Sequence, residues 1–84
     1  MITGVAIISD HDGQLYSLPN PNRHHHIIAM LAEKGFPTPI KGLQGFILED
    51  GTFINRINAA GIALSNGQCE NLIAPPCLYS EDLW

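Results

Sequence analysis

Twice along the chain the same order of signals recurs: a run rich in β-branched residues, a turn built on Asp-Gly, a short returning strand, and an Asn placed to open a helix. In the first pass Gly4-Val5-Ala6-Ile7-Ile8-Ser9 leads into Asp10-His11-Asp12-Gly13, and Gln14-Leu15-Tyr16-Ser17-Leu18 then alternates polar with apolar residues. Asn20 can serve as N-cap with Pro21 at the first helical position, which predicts a helix through Arg23 to about Lys34, stopped by Gly35 and Phe36-Pro37-Thr38-Pro39. After a loop holding Lys41 and Gly42, the second pass gives Gly45 to Glu49, a turn at Asp50-Gly51, and Thr52-Phe53-Ile54 returning. Asn55 then caps a helix from Arg56 to Ser65 that Asn66-Gly67 ends.

This order predicts an α+β fold: two β-hairpin-plus-helix (ββα) units, residues 1–35 and 44–67, whose strands form one small antiparallel sheet packed by two helices. The likeness is a weak internal repeat. Both helices open near an Asn-Arg pair, with Asn22-Arg23 expected two residues deeper than Asn55-Arg56. In the tail, residues 68–84, Ile73-Ala74-Pro75-Pro76 is expected to be extended, and Ser80 to cap a last turn with Glu81 and Asp82 at its positive end. A tail carrying Leu78, Tyr79, Leu83 and Trp84 needs a surface to cover, its own sheet or a neighbouring subunit.

The chain has 84 residues, enough for one domain, and a domain of that size buries only about 60% of its unfolded surface. Small scaffolds usually add disulfides, a metal or a partner chain. Cys69 and Cys77 make no disulfide framework and no metal knuckle, and read as reduced thiols. A homo-oligomer is therefore expected. Met1-Ile2-Thr3-Gly4 lacks the basic start of a signal peptide, and no apolar run reaches a membrane span, so a cytosolic protein without a membrane partner is expected. A formal net charge of -4 argues against polymeric nucleic acid, which draws on many Lys and Arg contacts to phosphate. A small anionic ligand needs only two of the four basic side chains.

The run Arg23-His24-His25-His26 is conspicuous, but consecutive helical residues point in different directions, so three adjacent histidines do not share one metal ion. With Ile27, Ile28, Met30 and Leu31 toward the core, His24 faces the core too, and His25 faces away beside Ala29 and Ala32. For His24 the alternatives are a core imidazole bonded to backbone and a group at a pocket edge. His25 suits contact with another chain, and His26 either solvent or ligand. A zinc site would need His11 or Asp10 in addition, which no spacing demands, so no metal or cofactor is expected.

Arg23 and Arg56 are the sharper clue. Each is predicted in the first turn of a helix, where free N-H groups favour an anion and the dipole disfavours a cation without one. Pairing with Glu49, Asp50 or Asp82 is the plainer account. Ala59, Ala60, Gly61 and Ala63 suggest close packing of the second helix. Gln68, Tyr16, Phe53, Tyr79 and Trp84 are candidates to stack on a base, with burial as the alternative. No G-x-S-x-G, Walker loop, GxGxxG or H-E-x-x-H is present.

The segments Pro-Asn-Arg-His-His-His, Gln44-Gly45-Phe46, Asp50-Gly51-Thr52-Phe53-Ile54-Asn55-Arg56, Gly67-Gln68 and Leu78-Tyr79-Ser80-Glu81-Asp82-Leu83-Trp84 resemble, over nearly the whole chain, a family of short phage and prophage proteins. Such relatives usually carry an acidic residue where this chain has Asn58, so the capping box is only partly formed. The resemblance implies a phage-borne accessory protein acting in the host cytoplasm, one that counters bacterial immunity by inhibiting an effector or removing its nucleotide messenger. The leading expectation is a homo-oligomer that sequesters a cyclic oligonucleotide or cyclic ADP-ribose isomer. Arg23 and Arg56 would hold phosphate, with His24, His26, Asn55, Tyr79 and Trp84 completing the site. The alternatives are a metal-independent phosphodiesterase using His24, His25 or His26, and a protein-blocking protein with no small ligand.

Overall fold

The computed structural model describes residues 1–84 as β1 (Ile2–Ser9), β2 (Leu15–Pro19), α1 (His24–Glu33), β3 (Gly42–Leu48), β4 (Phe53–Asn55), α2 (Arg56–Asn66) and a single 3-10 turn at Ser80–Asp82. The four strands form one antiparallel sheet in the order β2-β1-β3-β4. The first strand of each unit therefore lies at the centre and the second at an edge, as a local two-fold axis beside the Val5–Phe46 pair would place them. The expected α+β architecture of two hairpin-plus-helix units is the one observed.

Both hairpins turn on the Asp-Gly signals. Gly51, at φ 85°, adopts the left-handed conformation that a side chain resists, and the Asp50 carboxylate accepts the Thr52 N-H at 2.9 Å. The period of two then sorts the residues. Leu18, Val5, Phe46 and Ile54 form one row across all four strands on the helix-bearing face. Val5, Ile7 and Phe46 pack there with Ile27 and Leu31 from α1 and with Ala59, Ala60 and Ala63 from α2 in a single core. Three alanines let α2 sit close to the sheet; Gly61 contributes nothing to that packing, since its Cα faces open space. Just beyond α2, the Gln68 side-chain amide pairs with the backbone of β1, its Oε1 accepting the Ile2 N-H at 2.8 Å and its Nε2 donating to the Ile2 carbonyl at 3.0 Å.

Four local expectations are corrected. Helix α1 starts at His24 with Arg23 as N-cap, because the Asn20 N-H donates to the Thr3 carbonyl at 2.9 Å and so extends the β2 ladder, leaving Pro21 in the connection. Arg23 thus precedes its helix and Arg56 opens one. The Pro75-Pro76 segment is a turn closed by the Cys77 N-H on the Ala74 carbonyl at 3.2 Å, not an extended stretch. The last turn is opened by Tyr79, whose N-H donates to Asp82 at 2.9 Å, with Ser80 already inside it. Helix α2 is as expected: the Asn55 side chain accepts the Asn58 N-H, and Gly67 closes the helix. Both cysteines are free.

Candidate functional site

The tail from Leu78 to Trp84 lies across the N-terminal ends of both helices, and each arginine is tied to a different part of it. Leu78 is fully buried, and its N-H donates to the Arg56 carbonyl at 3.1 Å. Tyr79 lies under the Arg56 guanidinium, 4.8 Å from ring centroid to Cζ. On the α1 side the Trp84 indole donates to the Asn22 carbonyl at 2.7 Å, and Arg23 donates to the Trp84 carbonyl while standing 3.9 Å from Glu81. Asp82 anchors the strap by accepting the N-H groups of both Tyr79 and Ile73.

Between the two ends sits His24. Its Nε2 is 2.7 Å from the Gly45 carbonyl and its ring meets Phe46 edge-on, with centroids 5.1 Å apart. Burial pushes its pKa below the ordinary histidine value; the bond to Gly45 opposes this, and the nearby Arg56 charge adds to it. A neutral ring donating from Nε2 is thus a structural tie between α1 and β3, the core-imidazole alternative raised by the sequence. His26 accepts the Arg23 N-H through Nδ1 at 2.8 Å and so closes the start of α1, which leaves Nε2 carrying the proton of the neutral ring. His25 is exposed with its ring 4.1 Å from that of His26. No group of three His, Cys, Asp or Glu side chains is arranged to hold a metal ion.

Arg56 differs from Arg23 in having no carboxylate partner. It donates to Gln44 Oε1, stacks on Tyr79, and keeps a buried Nε-H with no acceptor. Beside it opens a groove of about 440 Å³ bounded by Gly42, Leu43, Gln44, Asn55, Ile57 and Cys77. Asn55 spends its Oδ1 on the cap of α2 while standing in the groove wall. Of the expected site residues, then, Arg56 and Asn55 stand in the groove wall, and Tyr79 stacks on Arg56. Arg23 and Trp84 form the strap's far clasp, joined there by Glu81, and His25 and His26 lie on the surface of α1.

Gln44 was missed by sequence reasoning although it carried a signal. Strand alternation puts it on the inward face with Phe46 and Leu48, where an amide needs a partner, and Arg56 is that partner. The stacking candidates have other uses. Phe53 lies over Gly45 on the outer face of the sheet, and Tyr16 bonds Asp12 at 2.5 Å and meets Phe36 edge-on.

Comparison with the curated proteins and with the solved structures gives no match. A family model does match, over residues 1–84, and its description is Phage T4 y16D protein. A match that runs from the first β-strand to the tail strap covers every element described above, and the chain accordingly belongs to the phage T4 y16D protein family.

Proposed function

We propose that the protein binds a small phosphate-bearing ligand, a nucleotide, in the groove beside Arg56 and holds it intact. The observation that carries this reading is the state of Arg56: a guanidinium at the start of an eleven-residue helix, without an acidic partner, in the wall of an open groove. Gln44 and Tyr79 fix the plane of that guanidinium, so it meets an incoming anion in one orientation. Asn55 and Gln44 supply polar contacts, and the exposed Leu43 and Ile57 supply apolar wall for a base or ribose.

Binding is favoured over cleavage because two of the three adjacent histidines are already committed to backbone groups, His24 to Gly45 and His26 to Arg23. For a phage protein in an infected cell, the ligand class that fits is a nucleotide immune signal, a cyclic oligonucleotide or cyclic ADP-ribose isomer, kept from its effector. The test is incubation with a panel of such nucleotides, followed by chromatography of the free pool before and after heat denaturation of the protein. Depletion followed by return of the intact compound supports sequestration. Return of a cleaved product moves the histidine phosphodiesterase forward, and an unchanged pool across the panel overturns the reading in favour of a protein-blocking role.

A further inference from the structure

A cavity of about 200 Å³ lies between the β1–β2 turn and the loop that joins α1 to β3, and it shares no lining residue with the Arg56 groove. Phe36, Pro37, Pro39 and Ile40 give it apolar walls. Ser9 also lines it, and strand alternation turns the Ser9 side chain toward the helix-bearing face with Val5 and Ile7. Only 2% of Ser9 is exposed, and its hydroxyl oxygen accepts the His11 N-H at 3.1 Å while its own O-H donates to no group of the chain. The cavity thus has an unused donor in its lining. His11 lines it too, its ring packed on Phe36 with centroids 5.1 Å apart and both ring nitrogens free of hydrogen bonds within the chain.

We propose that this cavity is a second binding site, for an uncharged single-ring heterocycle with a carbonyl beside a ring N-H, the edge that a free pyrimidine base presents. Size sets the first limit. An apolar cavity of about 150 Å³ holds one benzene ring, so about 200 Å³ admits a six-membered ring with one or two small substituents and neither sugar nor phosphate. Charge sets the second. Exposed Asp10 and Lys41 both line the cavity, the Asp10 N-H donating to the Lys41 carbonyl at 3.0 Å, so one charge of each sign is present and neither an anion nor a cation is favoured.

The polar groups set the third. The Ser9 O-H donates to the ligand carbonyl, and the ligand N-H donates to an unprotonated nitrogen of the His11 ring. Phe36 and the two prolines give the ring flat apolar surface. A wholly apolar ring would leave the Ser9 donor unpaired.

The experiment is a titration of the whole isotope-labelled protein with uracil, read from amide NMR shifts. Saturable shifts at residues 9–11 and 36–41 are expected, with a Kd of about 1 mM, a strength within reach of about eight non-hydrogen atoms. Ser9→Ala and His11→Ala should each weaken binding roughly tenfold or more with the rest of the spectrum in place. His11 is exposed, so its variant keeps the test open if Ser9→Ala fails to fold. Benzene, which fits the space without a polar edge, should bind more weakly than uracil, and uridine monophosphate should leave these residues unshifted. No saturable shift up to about 20 mM uracil overturns the proposal, as do shifts that saturate only elsewhere, folded variants that bind like the parent, or benzene binding as tightly. Arg56→Ala should leave the uracil titration unchanged, so its outcome and that of the nucleotide groove are read separately.

Discussion

The imidazole of His24 and the carbonyl of Gly45 are joined at 2.7 Å beneath the tail strap, a bond that links the first helix to a central strand of the other unit. Its state of protonation couples folding to pH. Burial lowers the folded pKa below 6.5, so the unfolded chain takes up the proton first as the medium is acidified. This contribution to stability is complete above the unfolded value and is lost as pH falls through it toward the folded one. Denaturant titrations should show stability declining below about pH 6.5 with a slope of up to ~1.4 kcal/mol per pH unit. The component should be missing from His24→Gln, and an identical slope in that variant would show that the proton goes elsewhere.

Removing Arg56 separates ligand binding from fold maintenance. Arg56→Ala is expected to weaken nucleotide binding by roughly tenfold to a hundredfold, the range of one charge-assisted bond, while also freeing Gln44 and Tyr79. Arg56→Lys should recover little, because an ammonium lacks the planar fork that Tyr79 and Gln44 orient. Isothermal titration of parent and variants against the same nucleotide makes the comparison.

Trp84 is the sole tryptophan, so its fluorescence reports the strap directly. Arg23→Ala removes the bond to the Trp84 carbonyl and the contact with Glu81, and should shift the emission to the red. The stability cost should stay near ~1 kcal/mol, since the Arg23–Glu81 pair is half-exposed and screened.

Leu78 is the buried wedge of the strap. Leu78→Ala should cost about 2–5 kcal/mol in urea unfolding, by lost burial and the cavity left behind. A loss below ~1 kcal/mol would mean that the strap contributes little to the folded core.

The two thiols should react on different timescales. Cys77 is half-exposed at the groove, whereas Cys69 is buried and donates to the Asn71 carbonyl at 2.9 Å. One equivalent of an aromatic disulfide reagent should be consumed rapidly and the second only on unfolding.

The hairpins and α2 were legible because their signals are local: Asp50-Gly51 selects a turn, and Asn55 caps the helix next to it. The start of α1 was not, because the competitor for Asn20 was the Thr3 carbonyl on a neighbouring strand, and a ladder bond to a distant residue leaves no mark beside Pro21. The same holds for the site. That Arg23 and Arg56 each sit at a helix start could be approximated from sequence, but their partners depend on a tail that crosses from Tyr79 to Trp84, and on Gln44 reaching Arg56 from β3. The alanines of α2 were correctly read as a packing face, whereas Gly61 lies one residue off it.

The pairing of the two units through their first strands has a consequence for how the chain folds. Each hairpin closes over a few residues and forms on its own in microseconds, but Val5 meets Phe46 only after some forty residues have been looped back. Neither unit holds the whole core by itself, so the core is completed only when the two meet. The two segments made as separate chains should each be largely unstructured alone and recover helical and sheet signals on mixing, at a rate that rises with concentration.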